Sequence, residues 1–131
     1  MREINFYRDQ SGYCPVEEFL DRLNVKQAQK VAWVLRLIEE QEIIPSIYLK
    51  KLVSTDEIWE VRVQFGNDIF RLLGFFEANN LMMLTHAFQK KLQKTPKQDI
   101  HLAEIRRKDY LMRREHERLT NVYKKPKGAR A

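Results

Sequence analysis

The residues whose types and spacing could act on a phosphate group together lie within the segment Glu57–Lys94. Arg62 and Arg71 fall in two successive predicted strands, and His86 and Lys90 fall in the strand that follows. A guanidinium group binds phosphate oxygens in pairs, and an imidazole whose pKa lies near neutrality can transfer protons. These residue types therefore predict a site that binds a phosphate and moves a proton beside it.

The spacing of the first two strands brings the two arginines together. The run EIWEVRVQF alternates between apolar and polar residues, as a half-buried strand does, and Gly66-Asn67 suits a two-residue hairpin loop. With that loop, Phe65 lies opposite Asp68 and Arg62 lies opposite Arg71. Two like charges that face each other across a strand pair are destabilising. Water, the carboxylate of Glu60 or a bound phosphate would each relieve them.

The third strand joins this face only if its turn has the right length. A two-residue turn after Glu77 places His86, Phe88 and Lys90 beside the arginines. A three-residue turn places there instead Thr85, Ala87, Gln89 and Lys91. In the first case Phe88 could stack on an unpaired base or pack in the core. His86 could serve as a general acid or base, or be a hydrogen-bonded strand histidine.

Composition limits the class of protein. The 131 residues are enough for one domain, and with 44% hydrophobic and 32% charged residues the chain is expected to be globular and soluble. Neither a signal peptide nor a membrane span is predicted, and the single cysteine fits a reducing cytoplasm. The three histidines are scattered and no carboxylate cluster is apparent, so no metal or cofactor is expected and any phosphodiester cleavage would be metal-independent.

Charge is divided unevenly along the chain. Residues 1–88 carry a net charge of −3, and residues 89–131 carry a net charge of +9. Such asymmetry indicates an anionic partner, nucleic acid first, although a solvated basic helix and tail would have the same composition. Arg106 and Arg107 belong to this basic region and are candidate RNA contacts.

The remaining elements are predicted from their periodicity. A short strand spans Arg2–Arg8, a helix spans Cys14–Leu23, and a second helix capped by Asn24 continues to about Glu42. Trp33 lies off the main apolar stripe of that second helix; packing in the core is favoured over contact with a partner. The stretch Ile47–Ser54 is expected to be an irregular connection.

A basic helix closes the chain. Thr95 is expected to cap it and Gln98 to complete a capping box, and the helix should run from Pro96 to about Arg114. The order is β-α-α-β-β-β-α, an α+β fold: a compact antiparallel sheet with two N-terminal helices on one face and the basic helix near the other. The predicted domain covers residues 1–112, followed by a basic extension over 113–131 whose end is expected to be mobile.

Three strings in the sequence resemble a known family. They are IWEVRV, the arginine of DIFRLL, and LTHAFQKKLQKTPKQDIHLAEIRRKDY. They are similar to the phage-derived HigB-like branch of the RelE/ParE toxin superfamily, over about residues 2–112. The resemblance implies a RelE-like fold and a toxin that cleaves mRNA on the ribosome. It also implies neutralisation by a cognate antitoxin, often a helix-turn-helix protein, in a toxin–antitoxin hetero-oligomer.

Carried over by motif, the resemblance assigns the site. The candidate catalytic residues are Arg62, Arg71, His86 and Lys90. The candidate RNA-binding residues are Phe88, Lys91, Lys94, Arg106 and Arg107. Tyr110 is a more remote candidate for proton transfer.

Three functions from different classes remain open. The first is a ribosome-dependent endoribonuclease in which the 2′-hydroxyl of RNA attacks the adjacent phosphate, with arginine and lysine stabilising the charge. The second is a ParE-like toxin that inhibits DNA gyrase without cleaving nucleic acid, because a shared scaffold does not fix function. The third is a phage protein that only binds nucleic acid through its basic helix.

Overall fold

The computed structural model describes residues 1–55, 57–91 and 95–123. Within these ranges the chain forms five strands and three helices in the order β1-α1-α2-β2-β3-β4-β5-α3. Their bounds are β1 Glu3–Phe6, α1 Pro15–Asp21, α2 Val25–Glu40, β2 Leu49–Lys51, β3 Trp59–Phe65, β4 Asp68–Ala78, β5 Leu81–Gln89 and α3 Lys97–Tyr123. The predicted α+β class is confirmed.

One sheet contains all five strands, in the spatial order β1-β5-β4-β3-β2. Two details of the predicted sheet are wrong. The stretch expected to be irregular contains β2, because Leu49 is buried and pairs with Val61. The sheet is also mixed, since β1 runs parallel to β5 after the chain crosses over through α1 and α2.

The helices cover opposite faces of the sheet, as the sequence predicts. On one face, α1 and α2 bury Val16, Phe19 and Val34 against a core that includes Phe70 and Leu84. On the other face, α3 packs on two smaller clusters. These contain Ile58, Leu73 and Ala103, and Tyr7, Phe75 and Met83. Among the described residues, no helix combines the length and the apolar character needed to cross a membrane.

The predicted start of the second helix is confirmed. Asn24 and Gln27 form a capping box, because the Asn24 side chain accepts from the Gln27 amide and the Gln27 side chain accepts from the Asn24 amide. The helix ends at Glu40. The expectation that Trp33 packs in the core is wrong: its side chain is 50% exposed and makes an edge-to-face contact with Tyr48.

The C-terminal helix runs unbroken past the predicted domain boundary after residue 112. Arg113 donates to the backbone carbonyl of Arg8 at 2.6 Å, and Arg114 forms an ion pair with Glu77 at 2.6 Å, so both residues hold α3 to the sheet. The division at residue 112 remains a prediction. The mobile end predicted for the extension lies in residues 124–131, outside the described residues.

An irregularity in β5 decides which side chains reach α3. Leu73 pairs with His86 and Gly74 pairs with Leu84, which leaves Thr85 as an extra, bulged residue. The bulge allows Met83 and His86 to lie on the same face. It requires glycine on β4, because a Cβ atom at Gly74 would lie 2.2 Å from the carbonyl oxygen of Met83.

Candidate functional site

Arg62 and Arg71 lie directly opposite each other, in the register that the two-residue hairpin predicts. The guanidinium Nε of Arg62 donates to Oε1 of Glu60 at 3.0 Å. The Nε of Arg71 lies 3.4 Å from the same oxygen, although it lacks the geometry of a hydrogen bond and has no other partner among the described residues. Water, Glu60 or a bound phosphate could relieve the repulsion between Arg62 and Arg71, and the structure contains the carboxylate of Glu60.

Glu60 is the centre of this cluster. Its side chain is only 1% exposed, so its charge acts in a poorly hydrated environment. The hydroxyl of Thr95 donates to Oε2 of Glu60. The prediction that Thr95 caps α3 is therefore wrong: the helix begins at Lys97, and the hydroxyl is used by the site. One carboxylate between two guanidinium groups leaves the cluster with a positive charge.

The two arginines differ in their access to solvent. The side chain of Arg71 is 11% exposed and that of Arg62 is 30% exposed. Burial lowers the pKa of Arg71, and the neighbouring Arg62 charge lowers it further against the opposite effect of Glu60. Both groups remain charged at neutral pH because a guanidinium group is so strongly basic. Arg71 thus forms the deeper part of the site and Arg62 the accessible part.

Lys90 extends the cluster from the end of β5. Its amide donates to the carbonyl of Ile69 at 2.7 Å, which continues the strand pairing by one residue and fixes the lysine beside the arginines. Burial lowers the pKa of the Lys90 amine, and the charge of Arg71 lowers it further. Lys90 therefore loses its proton more readily than an ordinary surface lysine does, and its neutral amine can then accept a proton from a ligand.

His86 uses both ring nitrogens to hold α3. Nη1 of Arg106 lies 2.9 Å from Nδ1, and because a guanidinium group can only donate, Nδ1 must accept. Nε2 then carries the hydrogen and donates to Asp99 at 2.6 Å. Burial lowers the pKa of His86 despite the opposing effect of Asp99. The predicted general acid or base thus lies in a neutral hydrogen-bonded bridge.

The remaining predicted RNA contacts lie mainly at the interface between the sheet and α3. Phe88 is half-buried and stacks on His86 with ring centroids 5.6 Å apart. Arg106 also donates to the carbonyl of Thr85 at 3.0 Å, and the Arg107 guanidinium lies 5.6 Å from the centre of the Phe75 ring. These residues support the position of α3. Tyr110 does so as well, by donating to Glu77 at 2.6 Å.

A cleft of about 650 Å³ opens beside the cluster. Arg62 and Lys90 line it together with Glu60 and Thr95, and the end of β2, the loop after it and the start of α3 contribute the other lining residues. Lys91 is exposed and does not line this cleft. Lys94 lies outside the described residues.

The sequence did not assign several residues that line the cleft. Lys50 and Lys51 belong to β2, where they pair with Glu60 and Trp59, and Lys97 begins α3. Their signal was a pair of lysines in a stretch without clear periodicity. Recognising that stretch as an edge strand next to β3 would have placed Lys50 on the face of Glu60, with which it pairs.

Metal ligands are not clustered in the part of the chain that the structure describes. No group of three or more His, Cys, Asp or Glu side chains in residues 1–55, 57–91 and 95–123 is arranged to hold a metal ion. The charges that converge on the cleft are those of arginine and lysine.

Together, the fold and the cleft define a small α+β protein with a cationic site on the α3 side of its sheet. Residues 18–108, more than two thirds of the chain, match the family described as phage-derived protein Gp49-like (DUF891). The chain belongs to this family, which is RelE-like and toxin-like. No curated protein matches the chain.

Proposed function

We propose that this protein is the toxin of a type II toxin–antitoxin pair, on the HigB-like branch, and that it is an endoribonuclease that cleaves mRNA on the ribosome. One observation carries this proposal: Arg62, Arg71 and Lys90 converge around the buried carboxylate of Glu60 at the edge of a cleft. Membership of a toxin-like family supports the biological role.

The phosphate is bound by the cations of the cluster. In the proposed complex, Arg62 reaches the scissile phosphate from the accessible side of the cleft and Arg71 stabilises it from below. Their fixed positions, set by the strand pairing and by Glu60, mean that little reorganisation is needed as negative charge develops on the phosphate oxygens. Glu60 acts as a positioning residue, since it is buried and contacts both guanidinium groups.

The reaction is a transfer within the RNA. The 2′-oxygen forms a bond to the adjacent phosphorus, the bond from phosphorus to the 5′-oxygen breaks, and the proton of the 2′-hydroxyl passes to the neutral amine of Lys90. The departing 5′-oxygen takes a proton from water, and the hydroxide that remains takes the proton from Lys90, which restores the neutral amine. The products are a 2′,3′-cyclic phosphate and a 5′-hydroxyl. This route uses the nucleophile of RNA itself and obtains its positive charge from arginine and lysine, so we propose that it needs no metal ion.

His86 then has a positioning role. Its hydrogen bonds to Asp99 and Arg106 hold the first turns of α3 beside the cleft, and Phe88 packs against its ring. We assign Arg106 and Arg107 to the support of α3. Lys91 and Lys94 follow Lys90 in sequence, and we propose that they contact the RNA backbone next to the scissile phosphate.

The proposed partners are the translating ribosome with its mRNA and a cognate antitoxin. An antitoxin with a helix-turn-helix domain would neutralise the toxin in a hetero-oligomer and repress the operon. Coexpression with the protein encoded by the adjacent gene, followed by purification of a complex, tests this part of the proposal.

The chemistry of the RNA ends tests the enzymatic part. After brief induction in growing cells, new mRNA ends inside reading frames should carry 5′-hydroxyl and 2′,3′-cyclic phosphate groups. New ends with 5′-phosphate and 3′-hydroxyl groups would contradict the mechanism. Growth arrest with intact mRNA and induction of the DNA-damage response would favour the gyrase-directed toxin. Absence of toxicity with salt-sensitive nucleic-acid binding would favour a binding protein.

A further inference from the structure

The sequence offers Phe88 as the residue on which an unpaired nucleobase could stack, but the contacts of Phe88 leave little of its ring available. Phe88 stacks on His86 and packs beside Ile58, Leu73 and Ala103, so much of its surface is already covered. It is also absent from the lining of the cleft. A nucleotide whose phosphate lies at Arg62 would have its base on another surface.

The lining of the cleft contains such a surface. It is formed by Leu52 and Val53, from the loop after β2, and by Pro96 and Ile100, from the residue before α3 and its first turn. We refer to these four residues as the apolar wall. Val53 is 82% exposed, so its side chain is free to contact a ligand.

The loop that carries half of this wall is held in a defined shape. The amide of Leu52 donates to the carbonyl of Ile58 at 2.9 Å, and the hydroxyl of Thr55 donates to the carbonyl of Leu52 at 2.9 Å. Ser54 has a φ angle of 72°, in the left-handed region that non-glycine residues seldom adopt. The wall is therefore formed before any ligand binds.

Charges beside the wall indicate which ligand it fits. Five cations line the same cleft together with the carboxylate of Glu60: Arg62, Lys90, Lys50, Lys51 and Lys97. An apolar surface surrounded by cations matches a nucleotide, whose base has apolar faces and whose phosphate is anionic. The cleft volume of about 650 Å³ lies within the range of about 300–1,000 Å³ that is usual for ligand sites.

We propose that the apolar wall binds one unpaired nucleobase of single-stranded RNA, next to the phosphate held by Arg62 and Lys90. This inference rests on the proposed function for the identity of the nucleic acid. Contact through the faces of the base does not distinguish sequence, but a purine covers more of the wall than a pyrimidine does. Binding at this position should therefore favour purines modestly.

The test uses RNA oligonucleotides that cannot be cleaved because every 2′-hydroxyl is methylated. A short single strand is prepared with all its bases, and again with one abasic position moved along the strand. Binding to the full chain is measured by fluorescence anisotropy at low salt. We expect one position at which the missing base weakens binding about tenfold, and little effect elsewhere.

Val53→Ser tests the wall, because an exposed side chain can be changed with little risk to the fold. We expect this variant to bind the intact strand only as well as the abasic one, with the affinity for the abasic strand unchanged. Val25→Ser is the matched control, since Val25 is 72% exposed on α2 and does not line the cleft. Val25→Ser should keep the wild-type ratio between the affinity for the intact strand and the affinity for the abasic strand.

Each outcome has a distinct meaning. The base site is overturned if binding is salt-sensitive but the same at every abasic position. It is also overturned if Val53→Ser keeps the wild-type ratio of affinities for the intact and abasic strands. Either result leaves the phosphate site intact and makes a protein ligand the better candidate for the apolar wall. Failure to bind any strand overturns both sites. A clear abasic position in a protein that leaves cellular mRNA intact keeps the base site and removes the proposed cleavage.

Discussion

Arg62 and Arg71 face each other across β3 and β4, and both guanidinium groups lie against the same carboxylate oxygen of Glu60. This relationship means that the site is held together by a negative charge on a side chain that is only 1% exposed. An anion that binds Arg62 thus enters a site whose cations are already fixed in place. The site should be sensitive to any change in that carboxylate.

Replacing Glu60 with glutamine keeps the shape of the side chain and removes its charge. Two guanidinium groups would then repel each other in a partly buried environment, and we expect the free energy of unfolding to fall by about 2–3 kcal/mol. Urea denaturation measures this change. Glu57→Gln is the control, because Glu57 is exposed and should change stability little.

The same variant provides a second measurement. A methylated RNA oligonucleotide should raise the melting temperature of Glu60→Gln more than that of the wild type, because the phosphate replaces the missing negative charge. An equal rise in the two proteins would contradict the assignment of the phosphate to these arginines.

Lys90→Arg separates charge from proton transfer. Arginine keeps the positive charge but remains protonated at any accessible pH, so it cannot accept the 2′-hydroxyl proton. We expect the cleavage rate on translating ribosomes to fall at least about 100-fold, with ribosome binding retained. Lys26→Arg, at an exposed lysine on α2 away from the cleft, should cleave at the wild-type rate. A fully active Lys90→Arg protein would remove Lys90 from the proton-transfer step.

His86 should make stability depend on pH. Its pKa is lowered in the folded protein, so below the ordinary histidine value of about 6.5 the unfolded chain binds a proton that the folded chain does not. The stabilisation is complete above that value and is lost as the pH falls through it toward the lower pKa of the folded state. The free energy of unfolding should therefore decrease from pH 7.5 to pH 5.5, by at most about 1.4 kcal/mol per pH unit.

Two histidine variants check the origin of this dependence. His86→Gln should have a flatter profile, because the bridge between Asp99 and Arg106 no longer contains a titrating group. His101→Gln should keep the wild-type slope, since His101 is exposed on α3. If the two variants have the same slope, the pH dependence comes from other groups.

Gly74 and Gly66 should respond differently to substitution. Gly74→Ala places a methyl group against the backbone of the bulged strand, 2.2 Å from the carbonyl of Met83, and we expect a loss of about 3 kcal/mol in the free energy of unfolding. Gly66 has a φ angle of 59° with open space around it, so Gly66→Asn should be tolerated. Thermal unfolding compares the two, and a stable Gly74→Ala protein would mean that the bulge can rearrange.

Local chemistry made some of this structure predictable. The register that pairs Arg62 with Arg71 depends only on alternation and on the Gly66-Asn67 loop, and both can be read from neighbouring residues. The face of β5 could not be decided in the same way. It depends on the length of the turn after β4, which has two residues because Ala78 pairs with Leu81, and on two register shifts, one between Phe76 and Ala78 and one at Thr85, that cancel each other. The second shift needs the close approach between Gly74 and the backbone of Met83.

Long-range contacts explain why several roles were missed. Thr95 has the residue type of a helix cap, but its hydroxyl is used by Glu60, which is 35 residues away in the sequence. Arg106 lies in a basic run that is typical of a solvated helix face, yet it donates to His86 and to the carbonyl of Thr85. Composition predicted the presence of cations, and only the packing of α3 decides which of them face the cleft.

The central claim is that the cluster around Glu60 cleaves mRNA, and mapping of mRNA 5′ ends after brief induction tests it most directly. Wild type is compared with Arg71→Ala and with Arg36→Ala, a control at an exposed arginine on α2. Circular dichroism and thermal melting establish that both variants are folded. We predict new ends inside reading frames for wild type and Arg36→Ala, and none for Arg71→Ala. The same ends in cells that express a folded Arg71→Ala protein would contradict the proposed site.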